Sequence, residues 1–144
     1  MAASALSIKE IEDLLRTEFP QSMRDGSGLK IEHVEYAVAR VRKTFNPNSI
    51  RPGGTISGPT MMGLADFALY VAIFSAIGPQ TLAVTTNLNI NFLRKPAQGD
   101  LIADARLMKV GKRLVIGEVT LRSDGEDEPV AHVTATYSVP PPGG

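Results

Sequence analysis

Cysteine is absent from the 144-residue chain, and histidine occurs only twice. The first absence excludes disulfides, a thiol nucleophile and zinc sites built on thiolates. With only His33 and His132 to offer imidazoles, a histidine-rich metal centre is not expected either, and no metal or redox cofactor is implied. Charge of one sign is also lacking. Fifteen basic residues balance 15 acidic ones, so no broad surface for nucleic acid or an anionic membrane is expected. The opening residues, MAASALSIKEIEDLL, lack the basic start of a secretory signal. Together with the missing cysteines, this makes a reducing, cytoplasmic location the expectation. One apolar run, residues 61–77, needs testing as a membrane span. It is at the short limit for one and contains Asp66. A charge there costs about 2.5–3.5 kcal/mol on insertion scales, so a core helix is expected instead.

The length suits one domain, large enough to bury a core without staples. Ile8, Ile11, Leu14, Leu15 and Phe19 have helical spacing, and Ser7 with Glu10 forms a capping-box pattern. Residues 8–19 therefore read as a helix stopped by Pro20, and 21–28 as a loop. Residues 29–45 alternate, as one long bent strand or two short ones. A loop follows over 46–58. Ser57-Gly58-Pro59 then opens a helix running to about Ile77, with Pro59 suited to the first helical position and Gly78-Pro79 ending it. That helix is apolar nearly all round and should be enclosed. Four strands follow, at 83–93, 101–110, 113–122 and 130–139. Gly111-Lys112 signals a tight hairpin, and the acidic turn SDGEDEP precedes the last strand. In the strand at 83–93, Val84, Leu88, Ile90 and Phe92 are assigned to one face, and Thr85, Asn87, Asn89 and Asn91 to the other. In the last, Ala131, Val133, Ala135, Tyr137 and Val139 form an apolar row. The connections are too short for parallel crossovers. The expected fold is α+β: an antiparallel sheet wrapped around one long helix. Residues 1–28 would form an N-terminal helix and loop, and 29–144 a single domain.

Asp66 is the one charge between Pro59 and Gly78. An acid in an apolar helix is either half-exposed, held by hydrogen bonds, or functional, because an unpaired buried charge is costly. Gly58 opens the helix, where backbone N–H groups lack intrahelical partners and can hold an oxyanion. Pro59 has no N–H, so Gly58 carries more of that duty. Eight residues separate Gly58 from Asp66, about 12 Å along a helix. A base or nucleophile and an oxyanion donor must both reach one carbonyl. Two helices meeting across a two-fold axis could supply what one chain cannot. Gly53, Gly58 and Thr60 match a phosphate-binding loop, but Pro59 stands where that motif needs lysine, which argues against nucleotide binding. Thr85 either belongs to a bland polar face or holds a water. Arg94, Lys95, Lys109, Lys112 and Arg113 are basic spots at turns, solvated or in contact with phosphate. Met61, Met62 and Phe67 belong to the core or line an adaptable apolar channel.

The segments SGPTMMGLADFALYVA, TTNLNINFLRKPAQGDLIADARLMKVGKRLVIGEVTL and PVAHVTATYSV resemble hotdog-fold thioesterases of the phenylacetic-acid-degradation (PaaI-like) type, over about residues 30–139. In that family the helix opens with His-Gly-Gly and carries an acid eight residues after the first glycine. Here the triplet is Ser57-Gly58-Pro59 and the acid is Asp66. The resemblance implies an acyl-CoA or aryl-CoA thioesterase. Gly58 would donate its N–H to the oxyanion, Asp66 would act across a dimer interface, and Thr85 would position water. Ser57 replaces the usual His and Pro59 the second Gly. Arg51 stands where relatives have Asn, with Asn48 nearby. Ser57, Asn48, Arg51, Pro59, Met62, Arg94 and Arg113 are the expected substrate contacts, with Arg94 or Arg113 meeting CoA phosphates. A homodimer, and a dimer of dimers, is expected. Asp66 would either activate water or attack to form an anhydride. The changed triplet motivates a different reading, a non-catalytic module that binds acyl-CoA or only dimerises. A hydratase ranks last, because it needs a His–acid pair and neither histidine lies in the motif.

Overall fold

The computed structural model describes residues 2–23, 27–47, 50–51 and 55–141. Helix α1, Ile8–Glu18, starts on a complete capping box: Ser7 Oγ accepts from the Glu10 N–H, and the Glu10 carboxylate accepts from the Ser7 N–H. Each bond satisfies a donor that the first helical turn leaves unpaired. The apolar face of α1 is fully buried at Ile11 and Leu15, within the main hydrophobic core. Pro20 ends α1 but not helical structure. It opens a further turn, α2 (Pro20–Met23), where a loop was expected. Proline's fixed φ and missing N–H suit a first helical position, so it can start one turn while stopping another.

The segment 29–45 is two strands, β1 (Leu29–Glu35) and β2 (Val38–Lys43), paired antiparallel. The chain turns between them with Ala37 at φ 64°, a conformation usually left to glycine or asparagine. Inside the expected loop, β3 (Ile50–Arg51) and β4 (Thr55–Ile56) form a small ribbon. Helix α3, Gly58–Ile77, has Ser57 as N-cap, so Gly58 takes the first helical position and Pro59 the second, one later than expected. Gly78 closes α3 at φ 84°. Strands β5 (Val84–Phe92), β6 (Leu101–Val110), β7 (Leu114–Ser123) and β8 (Pro129–Ser138) complete a six-stranded sheet. Its order is β1-β2-β6-β7-β8-β5, antiparallel throughout.

The sheet wraps around α3. One close approach is at Gly117 on β7, where an added Cβ would lie 2.5 Å from Leu69 Cδ2 and 3.1 Å from the Arg106 carbonyl. Only glycine lets the helix sit so deep. The β8 row Ala131, Val133, Ala135, Tyr137 and Val139 is buried against this side, as its alternation predicts. The β6–β7 connection is longer than a two-residue turn. Val110 pairs with Val115, and the Gly111 N–H donates to the Leu114 carbonyl at 2.9 Å.

Two features of the fold depart from the expected pattern and create the site. Helix α3 is not enclosed all round. Met62 and Gly63 are exposed, and Asp66 and Tyr70 are half-buried. Those four residues share one stripe of the helix. Strand β5, at the sheet edge, carries a bulge: Thr85 pairs with Tyr137 and Asn87 with Thr136, leaving Thr86 extra. A one-residue insertion reverses the facing of everything beyond it. Thr85 therefore shares the helix-facing side with Leu88, Ile90 and Phe92, whereas Val84 falls with Asn87, Asn89 and Asn91. Helix α3 is long and apolar enough to cross a membrane, but it is mostly buried inside the protein.

Candidate active site

Asp66 is held by two hydroxyls, one from each of the paired residues Thr85 and Tyr137. Thr85 Oγ1 donates to Asp66 Oδ1 at 2.6 Å. The Tyr137 hydroxyl reaches the Asp66 backbone carbonyl at 2.7 Å and also Oδ1. Tyr137 is 2% exposed. Burial, reinforced by the neighbouring Asp66 charge, pushes its hydroxyl well above the ordinary phenol value, so it remains a donor at any physiological pH. Oδ2 of Asp66 has no partner among the described residues. One oxygen of the carboxylate is thus anchored and the other is free to accept a proton or attack carbon.

Asp66, Thr85 and Tyr137 line a cavity of ≈ 630 Å³ with Gly63, Phe67 and Tyr70 of α3. Its far wall comes from the N-terminal segment, through Glu18, Phe19, Gln21 and Ser22. Phe19 meets the Tyr70 ring edge-on at 6.3 Å, and the Tyr70 hydroxyl donates to the Thr81 carbonyl at 2.6 Å. The N-terminal helix therefore borders the acid's cavity.

Gly58 lies in a different cavity, of ≈ 450 Å³, with Met61, Phe92, Arg94 and Lys95. The Thr60 N–H donates to Ser57 Oγ and the Met61 N–H to the Ser57 carbonyl, both at 3.3 Å, and Pro59 has none. The Gly58 N–H is left without a partner among the described residues. It points from a helix N-terminus whose dipole favours negative charge.

The other expected contacts are scattered. Ser57 is committed to capping, its Oγ also 2.8 Å from Thr60 Oγ1. Pro59 is exposed beside it. Met62 is exposed on the open stripe of α3 and lines neither cavity. Arg94 borders the Gly58 cavity and pairs with Glu128. Arg113 is exposed in the β6–β7 loop, away from both cavities. Asn48 lies outside the described residues. Of Arg51 only the backbone, in β3, is described. Both histidines pair with acids, His33 with Glu35 and His132 with Glu118, but neither lines either cavity. Tyr137 is the residue that sequence reasoning missed. Its place in an apolar row hid the hydroxyl, and a buried tyrosine that needs a partner was the available signal.

Known proteins place this geometry in a lineage. The Thioesterase superfamily model matches residues 53–130, a stretch that includes Gly58, Asp66 and Thr85. The chain belongs to the thioesterase superfamily. A protein of Saccharolobus solfataricus named "Putative esterase" is 28% identical over 134 residues, covering 93% of this chain and 86% of that one. A crystal structure described as a "putative thioesterase" from Silicibacter superposes with a TM-score of 0.83 at 35% identity, covering 96% of this chain and 94% of that one. The phenylacetic acid degradation protein PaaI of Thermus thermophilus, solved as a mutant, gives a TM-score of 0.69 at 26% identity, covering 78% of this chain and 94% of that one. This superfamily member has the hotdog fold, and hydrolysis is its class of chemistry.

Proposed function

We propose that the protein hydrolyses acyl-CoA or aryl-CoA thioesters, with Asp66 acting on a carbonyl held by the Gly58 N–H of a second subunit. The observation that carries this reading is the asymmetric carboxylate: Asp66 has Oδ1 anchored by Thr85 and Tyr137 and Oδ2 free beside a cavity. As a general base, Oδ2 takes a proton from water as the water oxygen adds to the thioester carbon. The charge that develops on the carbonyl oxygen is met by the Gly58 N–H. Collapse expels the CoA thiolate, which recovers the proton and leaves the free acid. As a nucleophile, Oδ2 instead adds to the carbonyl, expels the thiolate and leaves an anhydride for water to cleave. In the first route Thr85, whose O–H donates a hydrogen bond to Asp66 Oδ1, still has lone pairs with which to orient the water.

Separate placement of Gly58 and Asp66, in two cavities about 12 Å apart along α3, supports a dimer with two shared sites. The open stripe of α3 and the edge strand β5, with Val84 and Phe92 more than half exposed, offer the surface for it. Arg94 and Lys95 at the rim of the Gly58 cavity suit CoA phosphates.

A second reading rests on the Ser57-Gly58-Pro59 triplet, whose serine is tied up as a cap and whose proline gives no donor. It makes the protein a binding module for acyl-CoA without turnover. Substituting Asp66→Asn and following thiol release separates the two. Hydrolysis predicts wild-type turnover that falls at least about 100-fold in the variant, the scale of a lost general base. Binding alone predicts no thiol release from either, with affinity for the thioester kept.

A further inference from the structure

The geometry points to Tyr137 as a positioning residue for the reaction, one that together with Thr85 selects Oδ2 as the reacting oxygen of Asp66. This rests on the hydrolytic reading above. The carboxylate sits on α3, and both hydroxyls come from the sheet, at cross-strand partners on β8 and β5. A free aspartate on a helix rotates about its terminal torsion and presents either oxygen. Here Tyr137 fixes the backbone carbonyl of Asp66 and its Oδ1 from a single hydroxyl, and Thr85 adds a second donor to the same oxygen. Oδ1 is thereby occupied by two donors and Oδ2 by none, and Asp66 lines the same cavity as Tyr137 and Thr85.

The bulge at Thr86 is what makes the clamp possible. Without the extra residue, Thr85 would face away from the helix with the asparagines. Burial pushes the Tyr137 hydroxyl up and keeps it protonated, so it acts as a fixed donor and not as an acid in the cycle.

A residue that only stabilises the fold would alter melting without altering the chemical step. A residue that aims the reacting oxygen alters kcat and leaves substrate binding alone. The test is Tyr137→Phe, which removes one oxygen and keeps the ring, assayed on a CoA thioester that the wild type hydrolyses. The expected result is a cooperative melt, with kcat down roughly 10- to 100-fold and KM within about two-fold of wild type. Thr85→Val removes the other donor from an exposed edge strand, so an unchanged kcat in it overturns the clamp even where Tyr137→Phe folds poorly. It should show the same split. Because both hydroxyls serve one oxygen, the double variant should lose less than the product of the single losses. Wild-type rates in a folded Tyr137→Phe, or in Thr85→Val, with Asp66→Asn inactive, would overturn the clamp and leave the hydrolytic reading standing. Absence of thiol release from wild type would remove both.

Discussion

At the residue scale, Asp66 and Gly117 show opposite uses of the central helix. Asp66 could have been a costly orphan in an apolar segment. Instead it takes the open stripe of α3 and finds two hydroxyl donors. Its singularity was legible as a lone charge, whereas its partners were not. Thr85 seemed to face away because the phase of β5 breaks at a bulge, and three consecutive polar residues, Thr85-Thr86-Asn87, leave no apolar marker of the break. Gly117 is structural. A Gly117→Ala methyl would press on the Leu69 and Leu107 side chains, which can yield, and on the Arg106 backbone, which cannot. Overpacking of this kind costs about 1–3 kcal/mol, and urea unfolding should show a lower midpoint at unchanged slope.

At the scale of elements, the two long helices were legible in sequence, whereas the short α2 and the start of α3 were not. The capping box of α1 is local chemistry, set by residues three apart, and therefore visible in sequence, whereas α3 starts on Ser57, one residue before the expected cap. The β1–β2 turn was not visible, because Tyr36-Ala37 carries none of the usual turn residues. Nor was the role of the N-terminal segment, since contact between Phe19 and Tyr70 depends on tertiary packing. That contact predicts that Phe19→Ala opens the far wall of the Asp66 cavity. The variant should gain relative kcat/KM on bulkier acyl groups, measured across a graded series, with little change on the smallest. Ser57→Ala should cost about 1 kcal/mol of stability by removing the cap. Away from the cavities, Arg106 holds the Glu118 carboxylate below its ordinary 4.5, with burial opposing and His132 helping. A lowered folded value means that this stabilisation is complete above 4.5 and is lost as pH falls through the folded value. Acid melting curves should therefore be less steep for Glu118→Gln than for the parent.

For the whole molecule, the sheet-around-helix architecture followed from strand alternation, short connections and one long apolar helix, all of them periodic signals. The proposed sharing of the site between two subunits follows from helix length, because eight helical residues set Gly58 and Asp66 about 12 Å apart along α3. Gly58→Pro removes the N–H at a first helical position, where no helical bond is lost, and its added Cβ, 3.2 Å from Phe92 Cζ, needs that ring to give slightly. Mixed dimers of Gly58→Pro and Asp66→Asn chains would then contain one intact site, made of Asp66 from one chain and Gly58 from the other. Activity should reappear on mixing two inactive variants under exchange conditions. A site built within one chain would give no such recovery.

The most direct measurement is steady-state thiol release from a panel of acyl-CoA and aryl-CoA thioesters by wild type and Asp66→Asn side by side. The account predicts release by wild type on at least one member of the panel and a loss of at least about 100-fold in a variant that folds and binds normally. Equal turnover by the two proteins, or none by wild type on any thioester it binds, would contradict it.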